Sequence, residues 1–388
     1  MLGILVMNIS SYSMPAAAYF NPTAWGSLGG LDGWVWRVAH LLADSKFLAI
    51  FSMLFGAGIV LMWQRAEARS QGSAGIHYRR MFWLIVIGLL HAHLLWYQDV
   101  LYFYGMAGLL VYLFRKSSPA MLIALGVIFL SVGPAYLYTS TVSYPQWSQA
   151  AQTEYVEYLD PPEAAKQLEI SQYRGTWLEQ MEPRRARAIE MQTHTFLYWA
   201  LWRTGGLMLL GMALYKLGVL SAARSRRFYA ALIAVAVFVG LPLIGYGMQY
   251  NFSIDWRAPR FFLFGLQFNY WASLLVALGW IGVVMLFCKS GIAWVTRPLA
   301  AVGRMAFSNY ILQTLICTTL FYGHGFGLFA AVDRTGQMLI VWAIWAFQII
   351  VSSVWIQRFH YGPLEWLWRS LAYLEVQPFR RNPKPDTH

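Results

Sequence analysis

The sequence MFWLIVIGLLHAHLLWYQDVLYFYGMAGLLVYLF, at residues 81–114, establishes the fold class. It contains two apolar runs, 81–96 and 100–114, which are separated only by Tyr97, Gln98 and Asp99. Both runs are too long for single strands and lack the alternation of barrel strands, so we predict that both are helices. Because so few residues connect them, the two helices are expected to form a tight hairpin.

Further apolar segments lie on both sides of this hairpin. Hydrophobic residues make up 58% of the 388 residues and charged residues only 12%, whereas soluble domains carry roughly 25% charged residues. This composition excludes an ordinary soluble globule and a disordered chain, and it favours an all-α polytopic membrane protein. We predict one bundle of about ten, or eleven, transmembrane helices, within residues 1–20, 47–63, 81–96, 100–114, 121–138, 196–215, 228–250, 261–287, 305–322 and 338–356.

The charges of the loops predict the orientation of the bundle. When the loops are assigned alternately to two sides, basic residues concentrate on the side of the N-terminus, and the other side is slightly acidic. The positive-inside rule therefore places both termini in the cytoplasm. The same rule accounts for the net charge of +12, so nucleic acid is not a predicted partner. The predicted partners are membrane lipids, and an exposed apolar surface of the spans could support a homodimer.

The longest loop divides the chain into three parts. We predict an N-terminal five-helix half at 1–138, an extracytoplasmic loop at 139–193 and a C-terminal five-helix half at 194–388. The loop contains a predicted amphipathic helix that lies on the membrane surface or caps a cavity, and a solvated linker is the alternative. The C-terminal half ends in a predicted interfacial helix, GPLEWLWR at 362–369, and a basic tail.

Ionisable groups within membrane spans are costly, so each is a candidate for function. His91 and His93 lie in the outer half of the third span, about 200° apart around the helix, so they cannot share one ligand. Asp99 follows in the hairpin turn. His91 and Asp99 are the predicted catalytic residues, as a general base and its orienting carboxylate. The alternative is a structural hydrogen bond that closes the hairpin.

A second group of polar residues is predicted to bind a cofactor or donor. Asn309 and Gln313 share one face of the ninth span, where their amides could bind a ligand or join helices. Arg304 is predicted to open this span at the cytoplasmic edge, where it could bind the phosphate of a nucleotide-bearing donor or of a lipid head group, or could set the topology. Asn8 and Lys46, at the ends of the first two spans, complete this group. The spacing of the two cysteines suggests neither a disulfide framework nor a metal site.

The usual nucleotide and hydrolase motifs are absent from the sequence. It contains no phosphate-binding Walker loop, no Gly-x-Gly-x-x-Gly and no Gly-x-Ser-x-Gly. ATP-driven chemistry and dinucleotide chemistry therefore have no signature in this chain.

Several short motifs resemble the YeiB-like family of bacterial inner-membrane proteins, whose C-terminal part is a domain of unknown function. They are distributed over nearly the whole chain, which makes the resemblance specific. The motifs are LGIL at 2–5, NI at 8–9, KFL at 46–48, LFGAG at 54–58, GLLH at 88–91, DVL at 99–101, YG at 104–105, GRMA at 303–306, NY at 309–310, LQT at 312–314 and GPLEWLWR at 362–369. The resemblance implies a multi-pass protein of the bacterial inner membrane.

The YeiB-like family is distantly similar to membrane-bound acyltransferases such as heparan-α-glucosaminide N-acetyltransferase. The similarity implies a helical bundle with a polar central cavity and a cytoplasmic acyl donor, usually acetyl-CoA. It also implies a histidine inside the bundle. His91 stands in a family motif, whereas the histidine of the acyltransferases comes earlier, in a region where His40 is the only histidine of this chain. Family members also begin with an Asp-x-x-Arg-Gly segment, which does not precede the first span here.

The leading hypothesis is therefore acyl transfer from a cytoplasmic donor, acetyl-CoA or another acyl-CoA, to a glycan, lipid or small-molecule acceptor at or across the membrane. His91 and Asp99 would act as base and orienting group, and Arg304, Asn309 and Gln313 would line the donor path. The alternative is a transporter or channel for a small organic solute. A third hypothesis is a non-catalytic scaffold, which predicts a closed bundle without a central cavity.

Overall fold

The computed structural model describes residues 1–70 and 72–381. The end of the predicted basic tail, from residue 382 onward, lies outside the described residues. Within the described residues the chain is helical and has no β-strand, and one isolated antiparallel bridge pairs Phe359 with Arg380. The prediction of an all-α protein is therefore confirmed.

The helices follow one another through short connections. The first part of the chain contains α1 (Leu2–Ser13), α2 (Ala17–Phe20), α3 (Gly30–Leu42), α4 (Lys46–Glu67), α5 (Ala74–Leu94), α6 (Leu101–Val111) and α7 (Pro119–Ser143). The predicted loop contains α8 (Gln149–Glu157), α9 (Glu163–Tyr173) and α10 (Met181–Glu190). The remainder contains α11 (Leu201–Lys216), α12 (Arg226–Val235), α13 (Leu241–Ser253), α14 (Ala258–Arg260), α15 (Leu266–Ser290), α16 (Ala293–Arg304), α17 (Ala306–Phe321), α18 (Arg334–Arg358) and α19 (Pro363–Tyr373).

Short segments of other helix types join or extend several of these helices. Turns of 3₁₀-helix extend α6 and α7, and π-helical segments lead from α10 into α11, from α12 into α13 and from α14 into α15. These segments are Tyr112–Phe114, Tyr144–Gln146, Met191–Ala200, Ala236–Gly240 and Phe261–Gly265. The predicted apolar segments 196–215, 228–250 and 261–287 are therefore helical across these irregularities.

Five helical stretches within the described residues are long and apolar enough to cross a membrane. They are Gly30–Glu67, Pro119–Gln146, Arg226–Ser253, Ala258–Ser290 and Arg334–Arg358. Each contains one of the predicted spans. The other predicted spans are helical as well, but they are not among these five stretches. The count of ten or eleven spans stays a prediction.

The predicted hairpin of the third and fourth spans is present. α5 ends at Leu94, α6 begins at Leu101, and the two helices pack against each other. Gly88 permits this close approach, because a Cβ atom at this position would meet the backbone nitrogen of Tyr102 and the carboxylate of Asp99. The packing of the hairpin therefore brings the end of α5 against the first turn of α6.

Basic residues from loops that are predicted to be cytoplasmic lie next to one another. The Lys216 ammonium donates hydrogen bonds to the carbonyls of Arg115 and Ser117, at 2.8 and 2.7 Å. The Arg226 guanidinium donates to the carbonyl of Lys289 at 3.2 Å. These contacts are compatible with one common side for the basic loops, and the orientation of that side in a membrane stays a prediction.

The predicted extracytoplasmic loop packs on one end of the bundle. Tyr173 of α9 lies in the same buried cluster as Tyr12, Trp96 and Phe321, and its carbonyl accepts a hydrogen bond from the amide of Gly323 at 2.9 Å. The predicted single amphipathic helix is divided into two helices, α9 and α10. The two helices cover the end of the bundle at which α5 terminates.

Helices α4 and α11 cross at two glycines. A Cβ atom at Gly56 would meet the backbone oxygen of Met208, and a Cβ atom at Gly211 would meet the backbone oxygen of Met53. Small residues at such crossings let two helix backbones approach closely in a membrane bundle. The crossing links the N-terminal part of the chain to α11.

Replacement of Gly56 by alanine should therefore destabilise the protein. We expect Gly56→Ala to cost about 1–3 kcal/mol by overpacking, measured as a lower thermal unfolding midpoint in detergent. Gly58 lies on the same helix, and nothing lies within 4 Å of a Cβ atom there, so Gly58→Ala is the matched control. Equal unfolding midpoints for the two variants would contradict the close crossing of α4 and α11.

Candidate functional site

His91 and Asp99 form a buried pair where α5 ends. Nδ1 of His91 lies 2.8 Å from Oδ1 of Asp99, and both residues are at most 3% exposed. The second carboxylate oxygen of Asp99 accepts a hydrogen bond from the Tyr102 amide at 2.7 Å. The first turn of α6 therefore holds the carboxylate that orients the imidazole ring. The structure brings the two predicted catalytic residues together.

The other nitrogen of His91 continues a chain of hydrogen bonds. Nε2 lies 3.0 Å from Oγ1 of Thr314, which lies 2.7 Å from the hydroxyl of Tyr12. Because the Asp99 carboxylate accepts a hydrogen bond from the proton on Nδ1, a neutral imidazole here presents Nε2 as an acceptor. This tautomer is the one that a general base requires.

Aromatic rings enclose the pair and keep it out of contact with solvent. The ring centroid of Tyr310 is 5.2 Å from that of His91, and the ring of Trp96 meets the imidazole edge-on at 6.5 Å. Trp96 also stacks on Tyr12 at 4.0 Å. Charge interactions are stronger in such a desolvated environment than in water.

A cavity of about 310 Å³ begins at Tyr310. Its wall is mainly apolar and comes largely from α4, α5 and α6. The apolar wall residues include Phe51, Phe55, Ile59, Met81, Leu84 and Leu101. The cavity follows α4 from Phe51 to Met62, which corresponds to about 16 Å at 1.5 Å per residue. Tyr310 is thus both a wall of the cavity and a neighbour of His91.

The opposite end of the cavity is cationic. Arg80 and Arg304 line it, and the Arg80 guanidinium lies 4.1 Å above the ring of Trp368. Among residues 1–70 and 72–381, neither arginine forms an ion pair with a carboxylate. Arg304 is exposed, so this end is open to a ligand. Arginine side chains without a carboxylate partner suit a phosphate group.

Glu365 also lines the cavity, but its carboxylate is engaged elsewhere. It accepts hydrogen bonds from the amides of Phe307 and Ser308, at 2.6 and 3.1 Å, and from the Ser308 hydroxyl at 2.5 Å. Burial raises the pKa of Glu365, although the hydrogen bonds from Ser308 oppose this shift. Glu365 therefore anchors α19 to the first turn of α17.

The predicted donor-binding residues on α17 lie apart from Arg304. Arg304 ends α16 and does not open the ninth span, because Met305 interrupts the helix before α17 begins. Asn309 and Gln313 do not line the cavity. The Asn309 amide donates to Ser352 at 3.0 Å, and the Gln313 amide donates to Gln348 at 2.8 Å. These bonds join α17 to α18, and a ligand-binding role for the two amides stays a prediction.

Lys46 belongs to a second buried polar cluster. Its ammonium donates to the carbonyl of His40 at 2.6 Å and to the side chain of Asn269 at 2.7 Å. The carboxylate of Asp44 accepts from Asn269 at 2.7 Å and lies 3.1 Å from Nδ1 of His40. Asn8 is half-buried on α1 and is not among the residues that line the cavity. The structure therefore brings neither Asn8 nor Lys46 to the cavity.

Three residues of this site were not among the candidates from the sequence. Thr314 follows Gln313 in the LQT motif, and Tyr310 follows Asn309, so the motifs contained a signal for both. Arg80 is one of the basic loop residues from which the orientation of the bundle was predicted. In the part of the chain that the structure describes, no three His, Cys, Asp or Glu side chains come together as metal ligands do.

The fold and the site define a class: an all-helical, membrane-protein-like chain with a buried histidine–aspartate pair beside a cavity. A family model described as "Protein of unknown function (DUF418)" matches residues 214–375. The chain is 32% identical over 385 residues to "Uncharacterized protein YeiB" of Escherichia coli (strain K12), which covers 97% of this chain and 94% of that relative. The chain therefore belongs to the YeiB-like family, and the predicted resemblance is confirmed.

Further relatives are similar over nearly their whole length. "Uncharacterized protein YxaH" of Bacillus subtilis (strain 168) is 30% identical over 399 residues, covering 98% of this chain and 94% of the relative. The "Uncharacterized 39.9 kDa protein in amylase 3'region" of Bacillus acidopullulyticus is 26% identical over 387 residues, covering 100% and 94%. No solved structure matches this chain. The distant similarity to acyltransferases stays a prediction.

Proposed function

We propose that this chain is a membrane-bound acyltransferase that moves an acyl group from a cytoplasmic donor to an acceptor at or across the bacterial inner membrane. In this proposal ten helices cross the membrane, both termini are cytoplasmic, and the donor is acetyl-CoA or another acyl-CoA. One observation is the main support for this proposal. The buried His91–Asp99 pair lies behind Tyr310, at the inner end of a cavity whose other end is cationic.

The geometry of His91 supports the role of general base. Thr314 shows that a hydroxyl group fits 3.0 Å from Nε2, and the hydroxyl of an acceptor would take this position. Nε2 removes the proton from that hydroxyl, and the oxygen then attacks the acyl carbonyl of the donor. The bond between the carbonyl carbon and the donor sulfur breaks, and the proton passes from His91 to the departing thiolate. Asp99 stabilises the imidazolium between these two steps.

The cavity supports a site for the donor. Arg80 and Arg304 would bind phosphate oxygens at the cytoplasmic end, because the planar guanidinium forms paired hydrogen bonds with phosphate. The apolar walls exclude water from the reacting thioester, which limits hydrolysis. Tyr310 separates the cavity from His91, so its side chain has to turn aside before the donor and the base can meet.

The cavity also bears on the two other hypotheses. A non-catalytic scaffold predicts a closed bundle, and a cavity of about 310 Å³ disfavours it. A transporter could use the same cavity as part of a solute route. The two remaining functions differ in chemistry, since only the enzyme breaks the thioester bond of a donor.

The test is a transfer assay with the purified full chain in lipid vesicles. Radiolabelled acyl-CoA is added, free coenzyme A is measured as released thiol, and the label is followed into lipid, glycan and protein fractions. Heat-denatured protein is the control. Thiol release coupled to a labelled product supports the proposal. Solute counterflow without thiol release would replace it with the transporter.

A further inference from the structure

We infer that a carboxylate ligand binds between the helices α9 and α10 and the end of the bundle that these helices cover. Four polar side chains form this cover site, namely Trp96, Tyr173, Arg184 and Tyr322. The cover site goes beyond the proposed function, because binding there requires neither an acyl donor nor transfer.

The four side chains of the cover site are buried, and each has a donor group without a partner. All four residues are at most 4% exposed. Nε1 of Trp96, Nε of Arg184 and the hydroxyls of Tyr173 and Tyr322 form no hydrogen bond with residues 1–70 or 72–381. Burial of an unpaired donor is unfavourable, and native proteins contain few such groups. Four of them in one region indicate that oxygen atoms from outside the chain complete their bonding.

The four side chains come from two layers that meet at the cover site. Trp96, Tyr173 and Tyr322 lie in one buried cluster, in which the ring centroids of Tyr173 and Tyr322 are 4.9 Å apart. Trp96 and Tyr322 follow the ends of α5 and α17, whereas Tyr173 and Arg184 belong to α9 and α10. A ligand bound here would therefore contact both the bundle and its cover.

Arg184 is linked to both layers through its guanidinium. It donates to the carbonyl of Leu94 and to the side chain of Gln180, each at 2.9 Å. Gln180 in turn donates to the carbonyl of Tyr173 at 3.0 Å. Burial lowers the pKa of Arg184, and the hydroxyls of Tyr322 and Tyr173 oppose this shift. The guanidinium is therefore close to both of the unpartnered hydroxyls.

The charge of the cover site favours a carboxylate. Arg184 forms no ion pair within the described part of the chain, whereas the nearby Arg187 is paired with Glu169 at 2.8 Å. The two oxygens of a carboxylate accept about four hydrogen bonds, which equals the number of unpartnered donors. A carboxylate also matches the single uncompensated guanidinium in charge and gains charge-assisted hydrogen bonds. Water would supply acceptors but no charge.

The cover site lies close to an exposed loop. His324 is exposed, and its ring meets that of Tyr322 edge-on, with the centroids 6.0 Å apart. Partial burial and the positive charge of Arg184 lower the pKa of His324, so the field of the guanidinium reaches an exposed side chain. In this proposal a small anion enters beside His324 as α9 and α10 separate slightly from the bundle.

The experiment measures the thermal unfolding midpoint of the full chain in detergent as sodium formate is raised, without an acyl donor. Formate is the carboxylate group alone, formamide is its neutral counterpart, and sodium chloride keeps the ionic strength constant. We expect formate to raise the midpoint saturably, because a ligand that binds only the folded state stabilises it. Formamide and chloride should have no saturable effect. A formate effect no larger than theirs would overturn the inference and leave water as the partner of the four donors.

Matched variants locate the bound formate. The double variant Tyr173→Phe/Tyr322→Phe removes two unpartnered hydroxyls, so it should be as stable as the wild type without formate. We expect it to weaken formate binding at least about tenfold, as the loss of one charged hydrogen bond implies. Arg184→Gln should abolish the formate effect. Arg174→Gln is the control and should retain it, because Nε and Nη2 of Arg174 already donate to the carbonyl of Phe329 at 2.9 and 2.7 Å.

Two further results would overturn the inference. One is wild-type formate affinity in Tyr173→Phe/Tyr322→Phe, and the other is an equal loss of the formate effect in Arg184→Gln and Arg174→Gln. Neither result bears on the proposed function, which is tested by thiol release and a labelled product. Conversely, formate binding that depends on Arg184 supports the cover site even if no acyl transfer is observed.

Discussion

His91→Gln is expected to lower the rate of acyl transfer by about 10²- to 10⁴-fold, the usual contribution of a general base. Glutamine is similar in size to histidine, but its amide cannot take a proton from an acceptor hydroxyl. Asp99→Asn should produce a loss of the same order, because the asparagine amide no longer favours the tautomer with a free Nε2. The rate is measured as thiol release at saturating donor, and donor binding is measured separately.

His93→Gln is the matched control, because His93 lies two residues further along α5. Its ring pairs with Gln192 of the loop at 3.1 Å and is not in the His91–Asp99 pair. We expect this variant to retain the wild-type rate. A wild-type rate in His91→Gln would exclude His91 as the base.

Lys46→Met is expected to lower the free energy of unfolding by about 1–3 kcal/mol, since removal of the ammonium leaves the His40 carbonyl and the Asn269 side chain without their donor. Lys46 is fully buried. It shares Asn269 with Asp44, so the loss of the ammonium also removes a positive charge near the Asp44 carboxylate, which keeps its contact with His40. The measurement is the unfolding midpoint in detergent as denaturant is raised.

Two comparisons make this prediction specific. Lys116 is exposed, so Lys116→Met should change stability by no more than about 0.5 kcal/mol. The double variant Lys46→Met/Asp44→Asn should recover part of the loss, because it removes the remaining charge as well. If Lys46→Met is as stable as Lys116→Met, the buried cluster contributes no net stability.

The features that the sequence predicts well are local in the chain. His91 and Asp99 are eight residues apart, and the short hairpin between two apolar runs forces them together. Thr314 lies 223 residues from His91, so its contact with Nε2 depends on how α17 packs against α5. No pattern in the sequence specifies that packing. Tyr12 lies 302 residues from Thr314, and it could not be assigned to the site before the helices were placed.

The polar residues on and just before α17 show a second limit of what can be predicted from the sequence. Asn309 and Gln313 do share one helix face, and the structure shows that this face packs against α18. Arg304 was predicted to open the same helix, but the interruption at Met305 puts it on α16, at the cavity. Periodicity identifies which residues share a face, whereas the neighbour of that face is a tertiary property.

The hydrogen bond between Tyr12 and Thr314 also has a consequence for biosynthesis. Its two residues are 302 positions apart, and a ribosome that adds about 5–20 residues per second needs about 15–60 s to pass from one to the other. His91 is made within the same interval and also awaits Thr314. The early helices must therefore remain in the bilayer for most of translation with a hydroxyl and an imidazole nitrogen that have not yet met their final partner.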